Sequence, residues 1–568
     1  MTDITTKTKF IDTSNLKGDI FGGVTAGVVA LPLALAFGEA SGAGPIAGLW
    51  GAIFVGFFAA LFGGTGSQVS GPTGPMIVVF AGVFASLSGD PALVFAAVIL
   101  AGLLQILMGV LRLGQYIKLV PYPVVSGFMS GIGVIIIALQ VSRLFGHEPD
   151  TPGTIPAISA IPGAVADPVW PALAVGALSL GIVFAWPKSW GKWLPGALAA
   201  LIIGTLVSLA LPLPNTLVLG DIPRELPDLT IPNITAGSFW IILEAAILLA
   251  LLGAIDSLLT SLVADNMTGT RHNSNRELMG QGVGNTIAGL FGAIPGAGAT
   301  MRTVVNIRAG GSTRISGMTH GLLLFMVVIA LAPLASQIPH AVLAGILVKV
   351  GYDIVDWSYI RNAHRGPRWD LVLMATVLGL TVFVDLITAV GVGVVLAALA
   401  FVKQIADIQI KALNAAEGAD AAIDVGPEER ELLDGARGKI LLFDFAGGPL
   451  SFGAAADLGH HFREKVKEGA GAIILDFTRV PHIDLSAARA VETIACDGKR
   501  AGKTVYVTGM NNKVSDVLAG LNADHCIPAE TRFSTRIEAI REAVRLIEAS
   551  EKDRNKTRDA DGVPVPAE

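Results

Sequence analysis

The chain has 568 residues, of which 52% are hydrophobic and only 15% charged. Soluble domains carry roughly a quarter charged residues, so this composition, with a mean hydropathy of +0.63, describes a membrane protein. The net charge of −6 argues against a nucleic-acid partner, and the two cysteines, Cys496 and Cys526, suggest no disulfide framework and fit a reducing cytosol.

Residues 1–17 read as a polar tail without a signal-peptide core. A transmembrane domain follows over 18–404. A bilayer-spanning helix needs roughly 20 apolar residues. Spans are expected near Ile20–Ala36, Pro45–Phe62, Leu93–Leu111, Val124–Val141, Pro171–Trp186 and Leu194–Leu211. A second set is expected near Phe239–Val263, Gly282–Phe291, Ile315–Leu334, His340–Val355 and Leu371–Phe401, the last long enough for two.

Two broken segments complete the series at about fourteen. Gly71-Pro72-Thr73-Gly74-Pro75 opens one, and Gly296-Ala297-Gly298-Ala299-Thr300 opens the other. Irregular backbone survives at membrane depth only when buried in protein or lining a polar cavity. Paired breaks in two halves of a hydrophobic domain point to a transporter's midplane site. Basic residues such as Arg112, Arg271, Arg276, Arg308 and Arg361 fall in one set of loops, and acids such as Asp90, Glu148 and Asp221 in the other. That bias predicts a cytoplasmic N-terminus and a cytoplasmic C-terminal domain.

After a linker over 405–437, residues 438–549 alternate strand and helix. Strands are expected at Lys439–Phe445, Ala472–Phe477 and Thr504–Thr508. Helices are expected at Ala454–Val466, Leu485–Gly498, Lys513–Gly520 and Ser534–Leu546, which together make a small α/β sheet domain. Residues 550–568 read as a disordered tail.

Asp256 is the sharpest single residue. It lies deep in an apolar helix, where an ionisable group costs several kcal/mol and is a functional candidate. Thr260, at i+4, shares its face. A carboxylate and a hydroxyl there suit sodium; proton carriage by Asp256 is the other functional reading, and a carboxylate capped by backbone N–H groups is the structural one. Glu244 reads as a snorkelling side chain, and Lys349–Asp353 as an i,i+4 pair. The half-helices after each break present N-terminal partial positive charge and N–H groups suited to an anion. Thr73 and Thr300 can add hydroxyls. Arg302 either adds a full charge to that site, pairs with Asp256, or snorkels. Gly44, Gly48, Gly51 and Gly56 read as helix-packing positions. His272, His320, His340 and His364 are scattered and support no metal site, and no nucleophile–base arrangement supports an enzyme.

At these residues the chain resembles the SulP family of inorganic anion transporters. The resemblance runs from Gly18-Asp-Ile-Phe-Gly-Gly23 to about residue 549. It rests on Ala30-Leu-Pro-Leu-Ala-Leu-Ala-Phe37, Ser70-Gly-Pro-Thr-Gly-Pro75, Pro121-Tyr-Pro-Val-Val-Ser-Gly-Phe-Met-Ser-Gly131, Asp256-Ser-Leu-Leu-Thr-Ser-Leu-Val-Ala-Asp265, Asn275-Arg-Glu-Leu-Met-Gly-Gln-Gly282 and Gly296-Ala-Gly-Ala-Thr-Met301. It is strongest toward the sodium-dependent bicarbonate transporters of photosynthetic bacteria.

The resemblance implies a polytopic α-helical membrane protein of 7+7 inverted repeats, with core and gate domains and elevator-type alternating access. It also implies a C-terminal STAS domain, a homodimer, a bacterial inner (plasma) membrane location and lipid surroundings. It places the anion near Thr73, Gly298, Ala299, Thr300 and Arg302, and a coupling cation at Asp256, Thr260, Gly298 and Thr300. No cofactor beyond a sodium ion is implied. The expected activity is bicarbonate uptake coupled to sodium. Proton-coupled sulfate or dicarboxylate transport, exchange or a channel is the alternative, and a STAS-centred sensor or scaffold is a further rival.

The bicarbonate group carries glycine at the position of Arg302, whereas many other members carry arginine. A fixed guanidinium there can replace the charge compensation of sodium or shift preference toward sulfate. In His482-Ile-Asp-Leu-Ser486, Ser486 matches a phosphorylatable serine of anti-sigma antagonists. It reads either as a phosphorylation site that a cytosolic regulator would use or as a helix N-terminal residue.

Overall fold

A computed structural model describes residues 12–560 except 88–90, 118–120, 149–152, 188, 191–193, 212–213, 215–216, 221–225, 231–235, 385, 412, 418–424, 437, 446–447, 453–470 and 522–524. The chain forms two compact units, Met1–Ala397 and Ala398–Glu568.

The first unit contains α1 (Leu16–Ala40), α2 (Pro45–Phe62), β1 (Ser70–Gly71), α3 (Gly74–Ser86), α4 (Pro91–Val110), the short α5 (Gly114–Ile117), α6 (Tyr122–Leu144), α7 (Thr154–Ala166), α8 (Trp170–Ala185) and α9 (Gly196–Ser208). It continues with α10 (Ala236–Thr268), α11 (Ser274–Leu290), β2 (Ala297–Gly298), α12 (Thr300–Arg308), α13 (Arg314–Ala335), α14 (His340–Ile354), the short α15 (Trp357–Asn362) and α16 (Arg368–Phe383). α17 (Leu386–Lys411) begins here and crosses the boundary into the second unit. Among the described residues, six helices are long and apolar enough to cross a membrane; α7 and α8 together add a seventh, bent by 115°. α3 and α9 are apolar but shorter.

Each expected span has its helix, and the long Leu371–Phe401 run resolves into α16 and α17. The order helix, helix, two-residue strand, half-helix, helix occurs twice, as α1-α2-β1-α3-α4 and as α10-α11-β2-α12-α13. The two copies meet at their strands, which pair antiparallel with Ser70 opposite Gly298 and Gly71 opposite Ala297. Antiparallel pairing is what copies of opposite orientation produce.

Packing sorts the helices into two groups. One joins α1, α2, α4, α10, α11 and α13; the other joins α6, α8, α9, α14 and α16. Missing side chains permit the closest contacts. A Cβ on Gly102 of α4 would meet Gly282 O of α11 at 2.6 Å, so these helices touch backbone to backbone. Gly48, Gly51 and Gly56 are packing positions of the same kind, against Ala34, Ile294 and His320. Gly44 is not: its φ of +89° and open surroundings make it a turn residue at the α2 N-cap.

The second unit is a five-stranded sheet, β3 (Leu413–Glu417), β4 (Ile440–Phe445), β5 (Ala472–Asp476), β6 (Thr504–Thr508) and β7 (Arg532–Phe533), in that spatial order. β3 is antiparallel to β4 and the rest are parallel. Its helices are α18 (Pro427–Gly435), α19 (Leu485–Arg500), α20 (Asn512–Gly520) and α21 (Arg536–Ala560). The near-continuous apolar runs of β4 and β5 are fully buried, as parallel strands covered on both faces require.

Three expectations change. The 405–437 linker carries structure: α17 runs to Lys411, β3 pairs with β4, and α18 packs on α21. The tail expected from 550 is helical to Ala560, because no Gly or Pro interrupts α21 before that point. Cys496 and Cys526 form a disulfide despite the expectation of none, since α19 and the segment before β7 bring their Cα atoms to 5.1 Å. The expected helix Ala454–Val466 lies outside the described residues.

Candidate functional site

The site forms where the two breaks cross. Proline at the second helical position starts α3, with Thr73 as its extended N-cap; Ala299 is the N-cap of α12. The first intrahelical bonds run from Ile77 N to Thr73 O and from Thr303 N to Ala299 O, at 3.0 and 2.8 Å. The amides of Gly74 and Met76, and of Thr300, Met301 and Arg302, therefore precede the ladder at two helix N-termini held together by β1 and β2.

Side chains from α10 and α11 hold the second break. Gly298 N donates to Ser257 Oγ at 3.0 Å, and Thr260 Oγ1 donates to Gly298 O at 2.9 Å. Thr300 Oγ1 lies 2.7 Å from Thr260 Oγ1. Asn285 clamps Gly296 from both sides, with Nδ2 to its O at 2.9 Å and its N to Oδ1 at 2.8 Å. Thus Thr260, Gly298 and Thr300 lie together, with Asp256 one turn before Thr260 on the same face.

Asp256 is 8% exposed and Arg302 3%. Thr73 and Arg302 are the polar neighbours of Asp256. Neither Oδ2 of Asp256 nor Oγ1 of Thr73 meets a partner in hydrogen-bonding geometry. Arg302 Nη2 donates to Pro72 O, while Nη1 is buried without a partner. Arg302 therefore neither snorkels nor, among the described contacts, pairs directly with Asp256. It reaches across from the second break to the first. Gly71 makes room: its φ is +148°, and a Cβ there would lie 2.5 Å from Arg302 Nη1. Thr300 is exposed and gives the site its open side. Hard oxygens suited to a cation, and N–H donors and a guanidinium suited to an anion, thus lie together at the crossing of the two breaks.

Several supporting residues were not singled out from the sequence. Glu277 is buried and accepts from Gly64 N, Thr65 N, Gln68 Nε2 and Gln281 Nε2 at 2.8–2.9 Å. Gln281 Nε2 also donates to Ser70 Oγ at 2.6 Å, so this network seats β1. Glu277, Gln281 and Asn285 recur every four residues, a polar stripe on α11 that helical spacing alone would have revealed. Asp19 ties α1 to the start of α13 through Ser312 N, Thr313 N and Thr313 Oγ1.

The remaining sequence candidates lie elsewhere. Lys349 pairs with Asp353 at 2.5 Å, and Glu244 is exposed on α10. Ser486 is exposed in the first turn of α19, whose N-cap is Asp484, accepting from Ala487 N at 2.8 Å.

Residues 16–377 match the sulfate permease family and 436–539 the STAS domain. The bicarbonate transporter BicA of Synechocystis sp. is 43% identical over 538 residues, covering 93% of this chain and 94% of the relative. The solved transmembrane domain of a cyanobacterial bicarbonate transporter BicA is 48% identical, with a TM-score of 0.63 over 67% of this chain and 98% of that one. The structure of SLC26A9 is 17% identical and covers 96% of this chain and 92% of its own, with a TM-score of 0.78; it shares the fold.

Proposed function

The chain belongs to the sulfate permease family, and from that premise we propose that it takes up bicarbonate, coupled to sodium, by an elevator movement of one helix group against the other. It is a multi-pass anion transporter with a STAS domain. The observation that carries the finer reading is the meeting of both half-helix N-termini with Asp256, Thr260, Gly298 O and Thr300.

Bicarbonate binds the amides of both half-helices, with Thr73, Ala299 and Thr300 around it and Arg302 behind. Sodium takes the Asp256 carboxylate, the Thr260 and Thr300 hydroxyls and the Gly298 carbonyl, all hard oxygens. Asp256 and Arg302 cancel formally, so one sodium with one bicarbonate is a neutral load. A neutral load crosses an apolar interior at far lower cost than a net charge.

A second reading has its own support. The half-helix ends add about +0.5 charge each. Together with the unpartnered Arg302 Nη1, they favour a divalent oxyanion such as sulfate carried with the same cation.

Labelled bicarbonate and sulfate uptake into proteoliposomes, with sodium and proton gradients imposed separately, tests both. The expected result is bicarbonate uptake driven by an inward sodium gradient. Sulfate as the preferred substrate would establish the second reading, and uptake indifferent to sodium would remove the coupling role of Asp256. Replacing Arg302 by Gly should tighten the sodium requirement. The inner membrane of a bacterium, a homodimer and a cytoplasmic second unit complete the proposal, with exposed Ser486 as the place where a cytosolic regulator would add phosphate.

A further inference from the structure

The second unit contains a chemical cluster separate from the residues of the candidate site. Cys496 Sγ, Cys526 Sγ and a ring nitrogen of His525 lie within 4.8 Å of one another. The two cysteines are unequal. Cys526 is 7% exposed and belongs to the apolar core over α19, whereas Cys496 sits at the half-buried edge of that core. His525 is exposed, and its Nε2 lies 3.6 Å from Cys496 Sγ. Lys499, one turn along α19 from Cys496, donates to His525 O at 2.7 Å. A half-exposed thiol beside an imidazole and an ammonium group is the environment that raises thiolate content.

The segment carrying His525 and Cys526 leads directly to edge strand β7. Arg532, which opens β7, donates to Ile527 O at 3.0 and 2.7 Å. The cysteine pair therefore fastens to α19 a segment that also enters the core through Ile527.

We propose that Cys496 and Cys526 are a reversible thiol–disulfide site that latches the β7 segment onto α19, with a glutathione-type disulfide as oxidant. Cys496 thiolate attacks the small disulfide, forms a mixed disulfide and releases one small thiol. Cys526 thiolate then displaces the second. Two protein thiols are oxidised, the small disulfide is reduced to two thiols, and the two protons leave on those thiols. Attack begins at Cys496 because it is accessible, and Cys526 resolves because it is buried beside it.

The test uses the purified full-length protein in detergent, equilibrated across ratios of reduced to oxidised glutathione. Thiols are counted by maleimide–polyethylene glycol tagging, and amide exchange is followed by mass spectrometry. The expected result is a single reversible step from two tags to none, with faster exchange at 525–533 in the reduced form. Cys526→Ser should trap glutathione on Cys496, and Cys496→Ser should trap little on Cys526. Two tags at every ratio would overturn the proposal. So would a disulfide that opens only on denaturation, exchange at 525–533 indifferent to the redox state, or thiols that resist tagging until a chelator is added, which would make the cluster a metal site.

Discussion

The Asp256 site of the membrane unit and the α/β unit bury charge in opposite ways, although Glu277 and Asp19 elsewhere in the membrane unit are satisfied within the chain. In the α/β unit, buried Asp476 receives Arg536 at 3.3 Å, and the same guanidinium reaches Glu429 at 2.7 Å; buried Asp444 receives Arg479. In the membrane unit, Asp256 Oδ2 and Arg302 Nη1 are buried within electrostatic reach of one another and have no bonded partner. A folded protein keeps unpaired buried charge only where something else completes it. Under the proposed function, the contrast separates structural charge, satisfied within the chain, from charge left for the transported ions.

Removing the unpaired charge of the membrane unit should have the largest effect. Asp256→Asn should lower coupled uptake roughly 100-fold, the equivalent of about 3 kcal/mol, with expression and melting temperature unchanged. A large fall in melting temperature would make Asp256 structural after all. Arg536→Ala does the reverse. It leaves buried Asp476 and half-buried Glu429 without their cation, Asp476 keeping only its two bonds from Thr478, so it should destabilise the α/β unit by about 3 kcal/mol in denaturant unfolding of the full chain. Thr260→Ala should be milder, raising the sodium concentration for half-maximal uptake about 5–10-fold through one lost ligand, about 1 kcal/mol. The smallest effect is on pH. Burial alone would raise the Glu429 carboxyl, but the bond from Arg536, the Gly426 N–H and the Arg536 charge outweigh it and hold the carboxyl below its ordinary range. Its contribution is thus present at neutral pH and is lost as pH falls through that lowered value. Acid unfolding of the α/β unit should shift to higher pH in Glu429→Gln. An unchanged acid limb would show the pair contributes nothing.

Much of the membrane architecture was legible because bilayer physics demands long apolar runs, and the Pro and Gly of both breaks interrupt them visibly. Asp256 and Thr260 could be read as partners from helical spacing. What spacing along one chain could not give was the crossing. The pairing of Ser70 with Gly298 joins segments more than 220 residues apart, and the reach of Arg302 to Pro72 depends on it. The partners of Glu277 at Gly64, Thr65 and Gln68 likewise lie more than 200 residues away, so its support of β1 is not visible along the chain. In the α/β unit the parallel strands announced themselves as apolar runs. β3, Leu413–Glu417, did not: it is an edge strand whose sequence, Leu-Asn-Ala-Ala-Glu, contains no long apolar run. The disulfide was missed because Cys496 and Cys526 are 30 residues apart, and only the packing of α19 brings them together.

The central claim is that Asp256 couples cation to anion at the crossing of the half-helices. The most direct test measures labelled bicarbonate uptake into proteoliposomes, with and without an inward sodium gradient, for the native protein and for Asp256→Asn. The gradient should accelerate uptake by the native protein, and the variant should lose both the acceleration and most of the flux. Equal, undiminished uptake by the two proteins would contradict it.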